Sequence, residues 1–188
     1  AHIIGDNGQT IETATFRAKP EDVGEAQLIT DDNHFGTPRT DALRRDFTVN
    51  ALFYDAQRRE VIDYVGGLDD LDERLLRTIG DPVIRFREDP VRMMRAVKFA
   101  ARLDFQLEPG LRSAIISQRG ELGKAAVARL YEEILRLLNG GAAAESILLM
   151  DELRLLEVLI PEVSATLDRA NDGQYERFFG LLNTYDDV

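Results

Sequence analysis

The stretch RFREDPVRMMRAVKFAARL, from Arg85 to Leu103, decides how the second half of the chain is interpreted. Asp89 followed by Pro90 is typical of a helix start, with an aspartate N-cap and a proline at the first helical position. After it, methionine, alanine and valine recur on one half of a helical projection. The pattern predicts an amphipathic helix over about 89–103.

The other side of this predicted helix is basic. It carries Arg92, Arg95, Lys98 and Arg102. Arg92 lies in the first turn, where the helix dipole disfavours a cation. In one interpretation Asp89 caps the helix, Arg92 pairs locally with Glu88 or Asp89, and the basic side is solvated. That accounts for the cap, but poorly for four cations without an acid on one face of a chain of net charge −11.

An anionic ligand would account for the basic side. Helix N-termini and arginines both favour phosphate. The neighbouring Asp89 and Arg92 could also recognise a base, because a carboxylate accepts from an exocyclic amino group while a guanidinium donates to the adjacent ring atom. That combination fits adenine and cytosine and rejects guanine and uracil.

Composition excludes several classes of protein. The 188 residues are 44% apolar and include no cysteine and two histidines, so disulfide frameworks, thiol nucleophiles and multi-histidine zinc sites are not expected. No apolar run approaches the ~20 residues of a membrane span, and no signal peptide is visible, which favours a cytoplasmic protein without membrane partners. A pI near 4.7 argues against a uniformly basic nucleic-acid-binding surface.

The pattern along the chain changes from mixed α/β to all-α near Gly80. Residues 1–17 predict a β-hairpin, 18–39 a long polar loop, and Thr40 to about Tyr54 a helix. The run EVIDYV predicts a short strand. Further helices are predicted at about 68–74, 89–103, 109–118, 124–139, 142–158 and 171–185.

Two smaller groups of residues are candidates for catalysis or binding. Glu12, on the predicted strand TIETATFR, shares a face with Ala14 and Phe16. It is either an exposed carboxylate at a sheet edge or a carboxylate that binds a metal or transfers a proton. Asp46 and Asn50 are four residues apart and would share a face of the predicted helix. They are either ordinary polar residues at the border of the apolar face or a pair that forms hydrogen bonds with sugar hydroxyls.

Five motifs in order resemble the class II nucleotidyltransferases, the bacterial poly(A) polymerases and CCA-adding tRNA nucleotidyltransferases. The motifs are IETATFR, DALRRDFTVNAL, VIDYVGGLDDLDERLLRTIG, RFREDPVRMMRAVKFAARL and ARLYEEILRLL. The resemblance implies an α+β fold: residues 1–79 as the C-terminal part of a nucleotidyltransferase head, 80–140 as a helical neck, and 141–188 as the start of a helical body.

The resemblance also implies an activity and its residues. A nucleoside monophosphate would pass from ATP to an RNA 3′-hydroxyl, with Mg²⁺ ions assisting. The RRD motif, which handles the nucleotide sugar and phosphates, falls on Arg45, Asp46 and Asn50, and the base-reading EDxxR motif falls on Asp89 and Arg92. The remaining assignments are nucleotide contacts for Arg95 and Lys98, a catalytic acid for Glu12, and RNA or phosphate contacts for Arg129 and Arg102.

The sequence departs from the family pattern at its beginning. The D-x-D pair that binds the metals, and the glycine-rich segment before it, are not in this chain and are expected before Ala1, since AHII reads as the middle of a strand. We therefore expect a fragment that is inactive alone. Relatives often carry two acids where Pro38 and Arg39 stand.

AHII and ARLYEE favour the poly(A) polymerase branch. Addition of CCA to tRNA is the alternative, and a non-catalytic RNA- or nucleotide-binding module is the alternative of another class.

Overall fold

A computed structural model describes residues 2–4, 8–18 and 34–186. The elements of the first part, in chain order, are β1 (His2–Ile4), β2 (Thr10–Glu12), β3 (Arg17–Ala18), β4 (His34–Phe35), α1 (Pro38–Arg44), a 3₁₀ turn (Thr48–Asn50), β5 (Phe53–Asp55), β6 (Glu60–Ile62), α2 (Gly67–Asp72) and β7 (Leu75–Leu76). Those of the second part are α3 (Pro82–Glu88), α4 (Arg92–Leu103), β8 (Gln106–Leu107), α5 (Pro109–Gln118), a second 3₁₀ segment (Arg119–Lys124), α6 (Val127–Leu138), α7 (Ala143–Glu152), α8 (Leu156–Leu159), α9 (Pro161–Leu167) and α10 (Asp172–Asp186). The α+β class is confirmed.

The first strands pair in short antiparallel ladders. β1 lies against β2 with Ile3 opposite Ile11, so the predicted hairpin pairing is confirmed. Its second strand was predicted too long, because strand structure stops at Glu12, and β3 pairs instead with β4. The turn residues 5–7 and most of the predicted loop, residues 19–33, lie outside the described residues.

The predicted helix from Thr40 to Tyr54 is wrong. α1 begins at Pro38, with the Thr37 side chain accepting from the Thr40 amide, and it ends at Arg44. After it, Phe47 forms an antiparallel bridge with Thr78, which holds the chain extended. Phe47 is fully buried, whereas Leu43, four residues earlier in the predicted helical pattern, is half exposed. The two residues therefore do not share one buried helical face.

The later helices follow the predicted pattern more closely. α5 matches 109–118, and α10 matches 171–185 to within one residue at each end. The predicted helix 142–158 is broken after Glu152, where Arg154 takes a left-handed conformation with φ of 60°. The short helices α3 and α9 were not predicted.

One hydrophobic core joins both parts of the described chain. Phe47 and Leu76, which precede Gly80, pack in the same cluster as Met94, Leu111 and Met150. A parallel pairing of β7 with β8 adds a backbone connection between the two parts. The proposed domain boundaries stay a prediction. Within the described residues, no helix combines the length and the apolar character needed to cross a membrane.

Candidate functional site

A cleft of about 540 Å³ opens between the end of α1, the start of α4 and the N-terminal turn of α6. Its lining comprises Ala14, Thr15, Phe16, Arg17, Asp41, Arg44, Arg45, Asp46, Asn50, Asp89, Arg92, Arg95 and Arg129. Six arginines against three aspartates give this lining an excess of three positive charges. In a chain of net charge −11, such a local surplus marks the cleft as a site for an anion.

Asp41 anchors the α1 wall of the cleft. One of its carboxylate oxygens accepts from the Arg17 amide (3.1 Å) and from Nε of Arg44 (3.2 Å), and the other accepts from Nε of Arg45 (2.9 Å). Burial alone would raise the pKa of Asp41, but these hydrogen bonds and the charge of Arg45 hold it below its ordinary value. The ionised carboxylate thus fixes two cleft arginines.

Arg45 also contacts residues that follow it in the chain. Nη1 donates to the carbonyl of Asn50 (2.8 Å), and the guanidinium lies 5.1 Å from the centroid of the Phe53 ring. Asn50 reaches the cleft from the 3₁₀ turn, and Asp46 reaches it from the bend between α1 and Phe47. The two residues line one cleft, but the shared helical face predicted for them is wrong.

Asp46 is buried beneath the first turns of α4. Its Oδ1 accepts from Nε of Arg92 (2.8 Å), and Oδ2 lies 2.6 Å from Nη1 of Arg95. Arg92 also donates from Nη1 to the carbonyl of Arg85 (2.8 Å) and to Oε2 of Glu88 (3.0 Å). These pairings compensate the unfavourable position of Arg92, and none of the described residues accepts from its Nη2.

Asp89 does not cap α4, contrary to the prediction from the Asp–Pro pair. It follows α3, while Val91 precedes α4 without a side-chain cap. The carboxylate of Asp89 instead accepts from Nη2 of Arg129 on α6 (2.8 Å) and, over 3.3 Å, from the Val91 amide. The hydrogen bond to Asp89 raises the pKa of Arg129, and partial burial opposes that rise.

The rest of the basic side of α4 points away from the cleft. Lys98 donates to Oε2 of Glu133 (2.9 Å), next to a second, smaller pocket that Arg95 and Arg129 also line. Burial would raise the pKa of Glu133, but Lys98 and Arg136 lower it. Arg102 is exposed and lines neither pocket. The local pairing of Arg92 with Glu88 is thus confirmed. The interpretation of the basic side as a solvated face is wrong, because Asp46 and Glu133 pair with three of its four cations.

Glu12 stands apart from this constellation. It is exposed on β2, whereas the cleft begins two residues later at Ala14. Within residues 2–4, 8–18 and 34–186, no group of three or more histidines or acids is arranged to hold a metal ion.

Several cleft residues were missed from the sequence. Arg17, Asp41 and Arg44 line the cleft, while Arg85 and Glu88 lie buried behind it. Asp41 and Arg44 belong to the motif DALRRDFTVNAL, so treating every polar residue of that motif as a candidate would have found them. Nothing in the local sequence indicates that Arg85 is buried.

Two family models match the chain. The poly(A) polymerase head domain matches residues 1–77, and a model described as the probable RNA- and SrmB-binding site of polymerase A matches residues 104–167. Poly(A) polymerase I of Salmonella typhi is 39% identical over 187 residues, covering 94% of this chain and 40% of that protein. The chain belongs to the class II nucleotidyltransferases.

Relatives within this family come from both branches. A CCA-adding enzyme of Bacillus velezensis is 40% identical over 154 residues, covering 80% of this chain and 38% of that enzyme. The crystal structure of the Bacillus stearothermophilus CCA-adding enzyme in complex with CTP superposes with a TM-score of 0.69 at 33% identity, covering 82% of this chain and 36% of that one. This class II nucleotidyltransferase chain spans about 40% of the length of the poly(A) polymerases it matches.

Proposed function

We propose that the protein carrying this chain transfers AMP from ATP to the 3′-hydroxyl of RNA without a template, as a poly(A) polymerase. The positively charged cleft carries this proposal, since it collects the RRD and EDxxR residues around one space. Guanidinium groups bind phosphate oxygens in bidentate geometry and are suited to a triphosphate.

The proposed roles follow the position of each group. Arg44, Arg45 and Arg95 supply positive charge to the phosphates, and Asn50 with Asp46 contacts the sugar. Asp89 and the uncommitted Nη2 of Arg92 offer an acceptor and a donor to the edge of the base. Arg129, which lines both the cleft and the neighbouring pocket, is proposed to contact phosphate or RNA. Lys98 lines only the neighbouring pocket, so its proposed contact with the nucleotide is not to the part that the cleft holds.

Mg²⁺ is implied by the family, but the described residues do not form a site for it. Both carboxylate oxygens of Asp46 are engaged by arginines, and Glu12 lies outside the cleft. The described residues therefore hold no metal in the proposed mechanism, and the D-x-D pair implied by the resemblance stays a prediction. When bound, Mg²⁺ would neutralise the triphosphate.

CCA addition to tRNA is the second candidate. The similarity to CCA-adding enzymes favours it, whereas the match to poly(A) polymerase I extends further, over 94% against 80% of the chain. A non-catalytic nucleotide-binding module is the third.

Extension of a labelled RNA separates the three candidates. The full-length protein is incubated with Mg²⁺, a general RNA or a tRNA lacking its CCA end, and each nucleotide singly or all four together. Long adenylate tails on the general RNA support the proposal. Addition confined to C, C and A on the tRNA would assign the protein to the second candidate, and nucleotide binding without extension would favour the third.

A further inference from the structure

Arg85 is a buried cation behind the cleft, and none of the roles above involves it. It lies in α3 with only 6% of its surface exposed. Its Nη2 donates to two carbonyls some 40 residues earlier in the chain, those of Arg44 (2.7 Å) and Arg45 (2.6 Å). Its Nη1 donates to Oε2 of Glu88 (2.8 Å).

The two carbonyls mark the point where α1 stops. The last carbonyls of a helix lack partners within the helix, and a cation there is favourable. Arg44 is the last helical residue, Arg45 is extended, and Asp46 follows directly. Arg85 therefore restrains the backbone on one side of Asp46.

The side chain of Asp46 is restrained through the same network. Glu88 accepts from both Arg85 and Arg92, and Arg92 in turn donates to Asp46. Asp46 is consequently fixed at its backbone through Arg85 and at its carboxylate through Arg92.

A buried cation at this position also has a cost in stability. Nε of Arg85 is buried and has no acceptor among the described residues. Burial and repulsion by Arg92 lower the pKa of Arg85 against the pull of Glu88. Replacement of both members of a buried ion pair by apolar side chains is often neutral for stability or favourable, whereas removal of one partner is destabilising. Glu88 would keep Arg92 as a donor if Arg85 were replaced, which limits that loss.

We propose that Arg85 is a positioning residue, which sets the Arg45–Asp46 turn against α4 so that both side chains meet the nucleotide. This inference rests on the proposed function for its kinetic consequences. The restraint on the backbone is a separate claim about the fold.

Three variants of the full-length protein test the proposal. Arg85→Met removes the hydrogen bonds but keeps the length of the side chain, and Arg85→Lys keeps the charge without the fork of donors that reaches two carbonyls and Glu88 together. Arg87→Met removes an exposed arginine of the same helix and serves as the control. Hydrogen exchange of a peptide covering residues 44–50 reports the restraint, and kcat and KM are measured for each nucleotide.

For Arg85→Met we expect exchange in that peptide to accelerate at least tenfold. We expect kcat to fall roughly 10- to 100-fold, because a displacement of the Asp46 side chain by about 1 Å can cost that much. The factor should be about the same for every nucleotide. Arg85→Lys should fall between, and Arg87→Met should match the parent.

Unchanged exchange and kcat in a folded Arg85→Met protein would overturn the proposal, as would equal effects from Arg87→Met. If both Arg85 variants fail to fold, Arg85 is a residue of stability and the proposal is also overturned. If the parent adds no nucleotide to RNA, the proposed function fails, while the exchange measurement still decides whether Arg85 restrains the turn.

Discussion

The two sides of α4 are held by different interactions. The apolar side packs in the main core, where Met93, Met94, Ala96, Val97 and Ala100 are at most 3% exposed. On the basic side, each paired cation depends on a specific acid: Asp46 and Glu88 for Arg92, Asp46 for Arg95 and Glu133 for Lys98. Burial is non-directional and proportional to area, whereas a hydrogen-bonded ion pair needs defined geometry. We therefore expect the apolar side to determine stability and the basic side to determine function.

The largest effect is expected on the apolar side. Met94→Ala should lower the free energy of unfolding by about 2–5 kcal/mol, because it removes a fully buried side chain and leaves a cavity. Urea denaturation measures the change. Leu181→Ala removes a side chain that is 65% exposed and should cost less than about 0.5 kcal/mol. Equal losses for the two variants would contradict the assignment of the core.

Asp46→Asn tests the basic side. The variant should lose roughly 100-fold in kcat, because Arg92 and Arg95 lose the charge that orients them toward the cleft. The loss of stability should be modest, since Arg92 keeps Glu88 and Arg95 is partly exposed. RNA extension and the midpoint of thermal unfolding are measured on the same preparation. Activity near the parent's together with a large fall in melting temperature would make Asp46 a structural residue.

Arg92→Ala separates recognition of the base from binding of phosphate. A two-point contact to a base, here from Asp89 and Nη2 of Arg92 together, provides about 1–3 kcal/mol of discrimination. Loss of the donor should lower the preference for ATP over GTP and UTP by roughly one to two decades. The kcat/KM for each nucleotide measures it, with Arg102→Ala as the control from the exposed end of the same side. Equal losses for every nucleotide would mean that Arg92 binds phosphate.

The stability of the Arg92→Ala protein also distinguishes two views of this helix. The dipole argument by itself predicts neutral or slightly improved folding, since a cation leaves the first turn. The structure predicts a loss of about 1–3 kcal/mol, because the buried carboxylates of Asp46 and Glu88 each lose a donor.

The smallest effect is expected at Asp151 in α7, whose pKa is shifted by acidic neighbours. Burial and repulsion from Asp168, Glu157 and Glu152 raise the pKa of Asp151 above its ordinary 3.8. A carboxyl whose pKa is raised by folding destabilises the folded state at pH values above the pKa of the unfolded chain, which is 3.8. The penalty disappears as the pH falls below 3.8. Asp151→Asn should therefore stabilise the protein at pH 7 by a few tenths of a kcal/mol. The difference from the parent should vanish near pH 3, and a gain that persists there would have another cause.

The sequence by itself determined the apolar faces of the strongly amphipathic helices and the family. The helical period of α4 and α6 could be predicted locally, because 3.6 residues per turn places apolar side chains on one face whatever that face contacts. The ordered motifs identified the family, and the resemblance implied a site of Glu12, Arg45, Asp46, Asn50, Asp89, Arg92, Arg95 and Lys98. All of these except Glu12 and Lys98 line one cleft, and Arg129, which was assigned to RNA or phosphate, lines it too.

Only the tertiary structure decided where α1 ends and what neutralises the cations of α4. Helical spacing across residues 40–54 was overridden by the Phe47–Thr78 bridge, a contact that no local pattern reveals. Asp46 lies 46 residues from Arg92, and Glu133 lies 35 residues from Lys98, so their pairing depends on how the chain folds back. The double contact of Arg85 with the end of α1 belongs to the same class. An ion pair or hydrogen bond forms only when two particular atoms meet, and the one-dimensional order of residues fixes which atoms exist but not which of them meet.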